Sequence, residues 1–376
     1  MSDRTGIREH HGKYQVRFYD PDDGKRKSKT FARLTDARAF KRGIEADKDR
    51  GEYFDPTRGQ ESLASYARSW LSTKENVRER TRINVAGRVR NHIEPAFGDK
   101  RIGSIRPADV RTWIAEMRAQ GLAPATIRAA YRTFAQIMRT AEIDGVIRRS
   151  PCIGIELPAE TSTEEMHFLS PTQVAALAQA MAPRYHAAIY TAAYAGLRAG
   201  ELWALRIGHV DLRKRVLSVT ESLSEVRGKL VAGPTKTRNR RTVSLPRFVA
   251  DIIAEHLVTY PSDGHVFSAP EGGPVRHHNM MVRHFRPTVR RLAEDPALAF
   301  PGDLRFHDLR HSCAAILIGQ GWSPKAIQDR LGHASIRTTL DRYGHLFEGH
   351  DAELLERLET FANGDEMGTR QGSPVL

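Results

Sequence analysis

Apolar and polar positions alternate through Lys13-Tyr-Gln-Val-Arg-Phe-Tyr19. Tyr14, Val16 and Phe18 fall on one face and Gln15, Arg17 and Tyr19 on the other, the period of a half-buried strand. The turn cluster Asp20-Pro-Asp-Asp-Gly24 and the basic return Lys25-Arg-Lys-Ser-Lys-Thr-Phe31 complete a pattern of three short strands within residues 5–31. Thr35 is placed to N-cap a helix that turns Ala37, Phe40 and Ile44 inward. The expectation is a small sheet backed by one helix, with a basic outer face drawn from Arg17, Lys25, Lys27 and Lys29. Such a ribbon fits a DNA major groove; the plainer reading is a solvated hairpin.

Gly51 to Gln60, with Pro56 and Gly59, breaks the alternation and reads as a linker. The period then changes to that of a helix. Leu63, Tyr66, Ala67, Trp70 and Leu71 share one face; Glu79 to Ile93 follows, ended by Pro95 and Gly98. Pro107 stands at the first position of a helix through Ala119, stopped by Gly121. Pro124 opens a longer one carrying Ile127, Ala130, Tyr131, Phe134, Ile137 and Met138. These apolar positions are core. The arginines between them (Arg80, Arg82, Arg88, Arg90, Arg128, Arg132) are candidates for phosphate. Ser150 to Thr163 is non-periodic, a second linker. From Phe168 the pattern is mainly helical, with strands expected at Val216 to Val219, Lys229 to Val231 and Arg241 to Leu245, and a turn at Pro234 to Asn239.

Asp351 to Phe361 is amphipathic, with Leu354, Leu355, Leu358 and Phe361 at helical spacing and Asn363-Gly364 as a stop. The predicted architecture is mainly α and multidomain. A sheet-plus-helix domain covers residues 1–55, a helical bundle 60–150, a mixed α+β domain 165–363 and a disordered tail 364–376.

Composition narrows the function. Among 376 residues, 58 Lys+Arg face 45 Asp+Glu, for a net charge of +13. No apolar run approaches the ~18 residues of a membrane span, and the start lacks the apolar stretch of a secretion signal. Cys152 and Cys313 cannot build a disulfide framework and suggest a reducing cytoplasm. Secreted, membrane and disulfide-scaffold classes are excluded on these grounds. Of the +13, +12 lies in the first 150 residues, which suggests front modules that grip a polyanion, with nucleic acid the default. A merely soluble basic surface is the alternative.

Chemistry-bearing residues gather in the last domain. Ala195-Gly-Leu-Arg-Ala-Gly-Glu-Leu202 sets Arg198 at the start of a new helix, with Glu201 one turn on. His307-Asp-Leu-Arg-His-Ser312 puts His307 and Arg310 on one helical face. Leu331-Gly-His333 is expected to begin another helix, and Asp341-Arg-Tyr343-Gly-His345 ends the stretch; Lys236 sits on the hairpin between the first two motifs. Singly each is weak, since a lone Arg is usually solvated and a Tyr near a helix end usually packs. The ordered set is specific. His277, His278 and His284 lack partnering Cys or Asp residues for zinc and read as surface or DNA-facing side chains.

This set resembles the tyrosine recombinase (phage integrase) family, from about Phe168 to Phe361 through every motif and less specifically over residues 60–148. The first 55 residues are similar to the arm-type DNA-binding domains of temperate-phage and integrative-element integrases. By position, the resemblance implies that Arg198 and Arg310 are the catalytic arginines, Lys236 the hairpin lysine, His307 and His333 the two histidines, Tyr343 the nucleophile and Glu201 the carboxylate supporting Arg198. Lys229 flanks the same hairpin, but the Pro-Thr-Lys-Thr setting favours Lys236. The implied reaction is attack of the Tyr343 oxygen on a DNA phosphodiester, giving a 3′-phosphotyrosyl link and a free 5′-hydroxyl, without metal, cofactor or ATP.

These residue types suit that chemistry. Ionising a tyrosine of pKa ~10 at pH 7 costs about 4 kcal/mol, which guanidinium groups offset while holding phosphate oxygens bidentately. Each aimed donor contributes ~3 kcal/mol. Lys236 is the candidate general acid for the leaving oxygen, and His307 the candidate acceptor of the Tyr343 proton or orienter of the phosphate.

The family also implies double-stranded DNA with core and arm sites, a homo-tetramer on DNA, an excision factor, a host DNA-bending protein and a cytoplasmic, nucleoid-associated place in a bacterial host. The alternatives are a recombinase resolving chromosome dimers, a type IB topoisomerase-like enzyme and a non-catalytic DNA-binding regulator.

Overall fold

A computed structural model describes residues 6–19, 26–49, 58–74, 77–159, 165–235, 240–262, 264–347, 355–356 and 358–360, in two compact units, 1–162 and 163–376. The turn at 20–24, Lys25, Lys236, most of the first linker, the end of the second and most of the C-terminal amphipathic stretch and tail lie outside the described residues.

The first unit opens with an antiparallel sheet of β1 (Ile7–His10), β2 (Lys13–Tyr19) and β3 (Arg26–Phe31), in that order, followed by α1 (Leu34–Asp49). Ile7, Val16 and Ala37 are buried together, with Tyr14, Phe31, Leu34 and Phe40 around them. Helix α1 begins one residue before Thr35: the Ala37 amide donates to the Arg33 carbonyl, so Thr35 sits inside the first turn and is not its cap. Register divides the basic residues differently from the expectation. Val16 faces Lys29 and Phe18 faces Lys27, so both lysines share the face that packs on α1, and Lys29 Nζ lies 4.8 Å from the Phe40 ring centre. The outer face carries Arg8, Arg17 and Arg26.

The helical part of this unit comprises α2 (Leu63–Ser72), α3 (Glu79–Arg88), α4 (Glu94–Phe97), α5 (Pro107–Ala119) and α6 (Pro124–Ile143). Its core joins Leu63, Trp70, Ile93, Phe97, Trp113, Ile127 and Phe134, and the polar ends of two of its aromatics are paired: Tyr66 Oη donates to Asp144 at 2.6 Å and Trp70 Nε1 to Thr140 at 3.0 Å. Pro95 does not end the α3 stretch. A π-turn over Val89–Ile93, in which the Glu94 amide donates to the Val89 carbonyl, carries the helix past the proline as far as Phe97. The wider turn makes room for a ring that would otherwise strike the carbonyl four residues back.

The second unit begins with α7 (Pro171–Ala180), whose cap is reciprocal: Ser170 Oγ accepts from the Gln173 amide and Gln173 Oε1 from the Ser170 amide. Then come α8 (His186–Ala195), α9 (Ala199–Ala204) and two small antiparallel sheets. One is β4 (Val210–Asp211), β5 (Val216–Val219) and β8 (Arg241–Ser244); the other is the hairpin β6 (Glu221–Val226) and β7 (Lys229–Pro234). Strand β6, with its half-polar Glu-Ser-Leu-Ser-Glu run, has no clear alternation and was not expected.

Helices α10 (Arg247–Thr259), α11 (His277–Met280) and α12 (Arg286–Ala293) follow, the last two joined by a second π-turn just before Pro287. Helix α13 (Asp308–Gly319) is central and almost wholly buried in its first two turns; α14 (Pro324–Leu331) and α15 (Ile336–Tyr343) complete the unit. Leu331-Gly-His333 therefore closes α14 instead of opening a helix. Gly332 takes φ +69° as its cap, and His333 lies in the link to α15.

Candidate active site

Three helix ends meet at one point of the second unit. Helix α8 stops at Gly196 (φ +66°), and Arg198 is the residue just ahead of α9. Glu201, one turn on, accepts the Arg198 amide at 3.0 Å and Arg198 Nη1 at 2.8 Å; Arg198 Nη2 donates to the Gly332 carbonyl at 3.2 Å. The same carboxylate also accepts Nη2 and Nη1 of Arg241, at 2.7 and 3.2 Å, while Arg241 Nε donates to the Arg330 carbonyl at 2.9 Å. Burial would raise the Glu201 pKa, but the hydrogen bond and charge of Arg241 and the charge of Arg198 outweigh it and hold the group at about 2. Glu201 is thus a buried anion shared by two arginines. Arg241 carried no motif signal, and only β8 packed beside α14 brings it here.

Arg310, in the first turn of α13, is buried with both ends of its fork engaged: Nη1 donates to the Gly196 carbonyl at 2.6 Å and Nη2 to the Leu331 carbonyl at 2.7 Å. These carbonyls end α8 and α14, where the helix dipoles favour a cation. Burial and the Arg198 charge lower its pKa, yet a guanidinium stays charged at neutral pH.

The imidazoles complete the cluster. His333 Nδ1 is 2.8 Å from Thr339 Oγ1, and its ring runs nearly parallel to that of Tyr343, 6.4 Å away at 17°. His307 immediately precedes α13, not within it, and is exposed at one edge; its ring meets that of His311 edge-on at 4.9 Å. Burial together with neighbouring charges lowers His307 and His311 to about 4 and His333 to about 3, so all three are neutral at pH 7. Tyr343, the last residue of α15, is fully buried. Its hydroxyl lies 2.8 Å from His311 Nδ1, and burial, against the opposing charges of Arg310 and Arg342, pushes it up to about 12. The described partner of that hydroxyl is His311, not His307.

The cluster as a whole is cationic: Arg198 and Arg241 share the Glu201 carboxylate, Arg310 is held beside them by two carbonyls, and neutral imidazoles line the edge. Such an arrangement is chemically suited to an oxyanion. Residues 167–350 match the phage integrase family and residues 62–118 the phage integrase N-terminal SAM-like domain. A putative prophage phiRv2 integrase of Mycobacterium tuberculosis is 30% identical over 369 residues, covering 95% of each chain. The chain belongs to the phage integrase family.

The integrase of Mycobacterium phage L5 is 28% identical over 366 residues, covering 93% of this chain and 95% of that one. In fold, the Tn1549 transposon integrase, solved with a circular intermediate DNA, aligns with TM-score 0.70 at 23% identity over 78% of this chain and 99% of its own. A lambda integrase dimer on a core site aligns at 0.59 and 17% identity, covering 90% and 94%. As an integrase-family enzyme the chain breaks and rejoins DNA strands.

The remaining candidates are placed as follows. Arg80, Arg82 and Arg132 are exposed and Arg88 is half-buried, and Arg128 Nη1 donates to the Pro158 carbonyl at 2.9 Å. His277 is corrected: its Nδ1 accepts from Trp203 Nε1 at 3.1 Å, which makes it a packing partner of α9. His278 is exposed, and His284 lies tilted against Tyr185.

Proposed function

We propose that this integrase recombines the DNA of a phage or integrative element with a chromosomal site, through a 3′-phosphotyrosyl link at Tyr343. The observation that carries the reading is the convergence of Arg198, Arg310, His333 and Tyr343 at the ends of α8, α14 and α15. In this reading the phosphodiester lies against Arg198 and Arg310, whose free N–H groups hold its non-bridging oxygens. His307 and His333 add donors at the rim, and charge developing on the phosphorane is met by guanidinium groups already in place. Glu201 and Arg241 position Arg198.

Lys236 is the proposed general acid for the leaving 5′-oxygen. It lies outside the described residues, in the link between the ends of β7 and β8. Arg241, at the head of β8, reaches Glu201, which ties that link to the site at its C-terminal end.

The organisation proposed is an arm-binding domain at 1–55, a core-binding domain at 60–150 and a catalytic domain at 165–363, assembled as a tetramer on two DNA sites. An excision factor and a host DNA-bending protein would set direction, in a bacterial cytoplasm. The test is to incubate the protein with the element's own termini and host DNA and to sequence the products. Reciprocal junctions sharing one short core support the reading; relaxation of supercoils without junctions would point to a topoisomerase.

A further inference from the structure

The motif His307-Asp-Leu-Arg-His-Ser312 contains a second histidine to which the family match gives no role. His311 is buried on α13, and its Nδ1 is within hydrogen-bond distance, 2.8 Å, of the Tyr343 hydroxyl. We propose that His311 is the base that takes the Tyr343 proton as the phenol oxygen attacks phosphorus. The proposal rests on Tyr343 being the nucleophile and adds the fate of its proton.

The step balances without any co-reactant. The Tyr343 oxygen forms its bond to phosphorus, its proton passes to His311 Nδ1, and the P–O5′ bond breaks with the electron pair leaving on the 5′-oxygen, which takes a proton from the general acid. Rejoining runs the same transfers backwards, and His311 returns the proton to the departing phenol. Nδ1 can accept only in the tautomer that carries hydrogen on Nε2.

The surroundings favour an acceptor here. From its own helix His311 is subject to Asp308 and Arg310; His307 and Arg305 bear on it from the preceding segment, and Arg342 and Tyr343 from α15. Burial and the arginine charges keep it neutral at pH 7, the state in which it can take a proton, while Tyr343 is held protonated. A bound phosphodiester brings a negative charge among the same arginines and makes His311 more basic at the moment the proton moves. Its ring also packs edge-on to Tyr343, centres 5.7 Å apart, so the pair is fixed in orientation. His307, by contrast, has no described hydrogen bond to that hydroxyl.

The experiment measures covalent adduct formation by the full-length protein on a nicked duplex carrying the core recovered by junction sequencing, from pH 6 to 10. His311→Asn keeps a polar atom near the Nδ1 position but cannot take a proton; His311→Ala removes the group. Both are first checked for unchanged melting and DNA binding. The expectation is a loss of about 10²-fold or more at pH 7 in each. A flat wild-type profile should become one rising about tenfold per pH unit in the variants, because attack then needs preformed tyrosinate. Added imidazole should restore activity to His311→Ala. A substrate whose 5′-leaving oxygen is replaced by sulfur should not rescue either variant, since that leaving group relieves only a missing acid. If His311→Asn cleaves within about threefold of wild type with the same pH profile, or if the sulfur substrate restores it, His311 is not the base. Tyr343→Phe is the separate control: an adduct that persists there overturns the nucleophile assignment itself.

Discussion

Glu201 and its neighbours show how the site titrates. The carboxyl goes from an ordinary value of 4.5 to about 2 on folding. A depressed carboxylate contributes stability that is fully present above the unfolded value and lost as pH falls toward the folded one. Glu201 should therefore supply on the order of 3 kcal/mol at neutral pH that fades between about pH 4.5 and 2. Urea unfolding at a series of pH values should show Glu201→Gln flatter than wild type over that window. Neutral buried imidazoles add a second window. His311 and His333 titrate at about 4 and 3 in the fold against an ordinary 6.5, so the unfolded chain takes up protons first and stability should fall as pH drops from about 6.5 toward 4. Arg241→Ala leaves Glu201 with one cation and should cost about 3–5 kcal/mol, read from the same unfolding curves. Most of the proposed catalytic residues stood out in the sequence because their types and order are unusual together. Arg241 and His311 did not, because an arginine in a strand and a histidine next to a motif are common; their roles exist only once β8 and α15 close on α9 and α13.

Elements that turn sharply hold the site together, and two glycines set its geometry. Gly196 and Gly332 both adopt left-handed φ, and their chain segments present carbonyls to Arg310 and Arg198. A Cβ at Gly196 would stand 2.5 Å from Leu331 Cδ2, and one at Gly332 would stand 3.0 Å from the Arg241 side chain. Gly332→Ala should lose about 1–2 kcal/mol from backbone strain and reduce cleavage by moving Arg241. Gly196→Ala should lose more, because a packed leucine must also shift. Denaturation midpoints beside cleavage rates check both. At this scale the sequence was readable wherever period and punctuation agreed, as for α5 with its leading proline and trailing Gly121. It misled where a proline stood inside a helix. Pro95, read as a stop, follows a π-turn, a longer-range bond pattern that side-chain periodicity does not announce. Strand β3 misled for a different reason: counting lysines ignored parity, and Phe31 on the inner face already required Lys29 and Lys27 to share it.

Across the whole molecule, charge is unevenly divided, and in the proposed organisation the front share serves DNA binding. Nearly all the net positive charge belongs to residues 1–150, while the rest of the chain is almost neutral around one cationic cluster. Affinity for DNA should accordingly fall steeply with salt, with the steepness carried by the front modules. Removing residues 1–55 should flatten the salt dependence on long DNA and abolish integration at arm-bearing sites while leaving cleavage of a short core detectable. Normal integration without that segment would refute the arm-binding assignment. Composition shifts and linker signals suggest this layout, and the division into compact units falls at the second expected linker; nothing in one chain's sequence encodes which DNA it pairs with. The most direct test of the account is mass spectrometry of the adduct trapped on a nicked core duplex. A nucleotide linked through phosphate to Tyr343, absent in Tyr343→Phe, is the predicted result; an adduct on any other residue, or one that survives Tyr343→Phe, would contradict it.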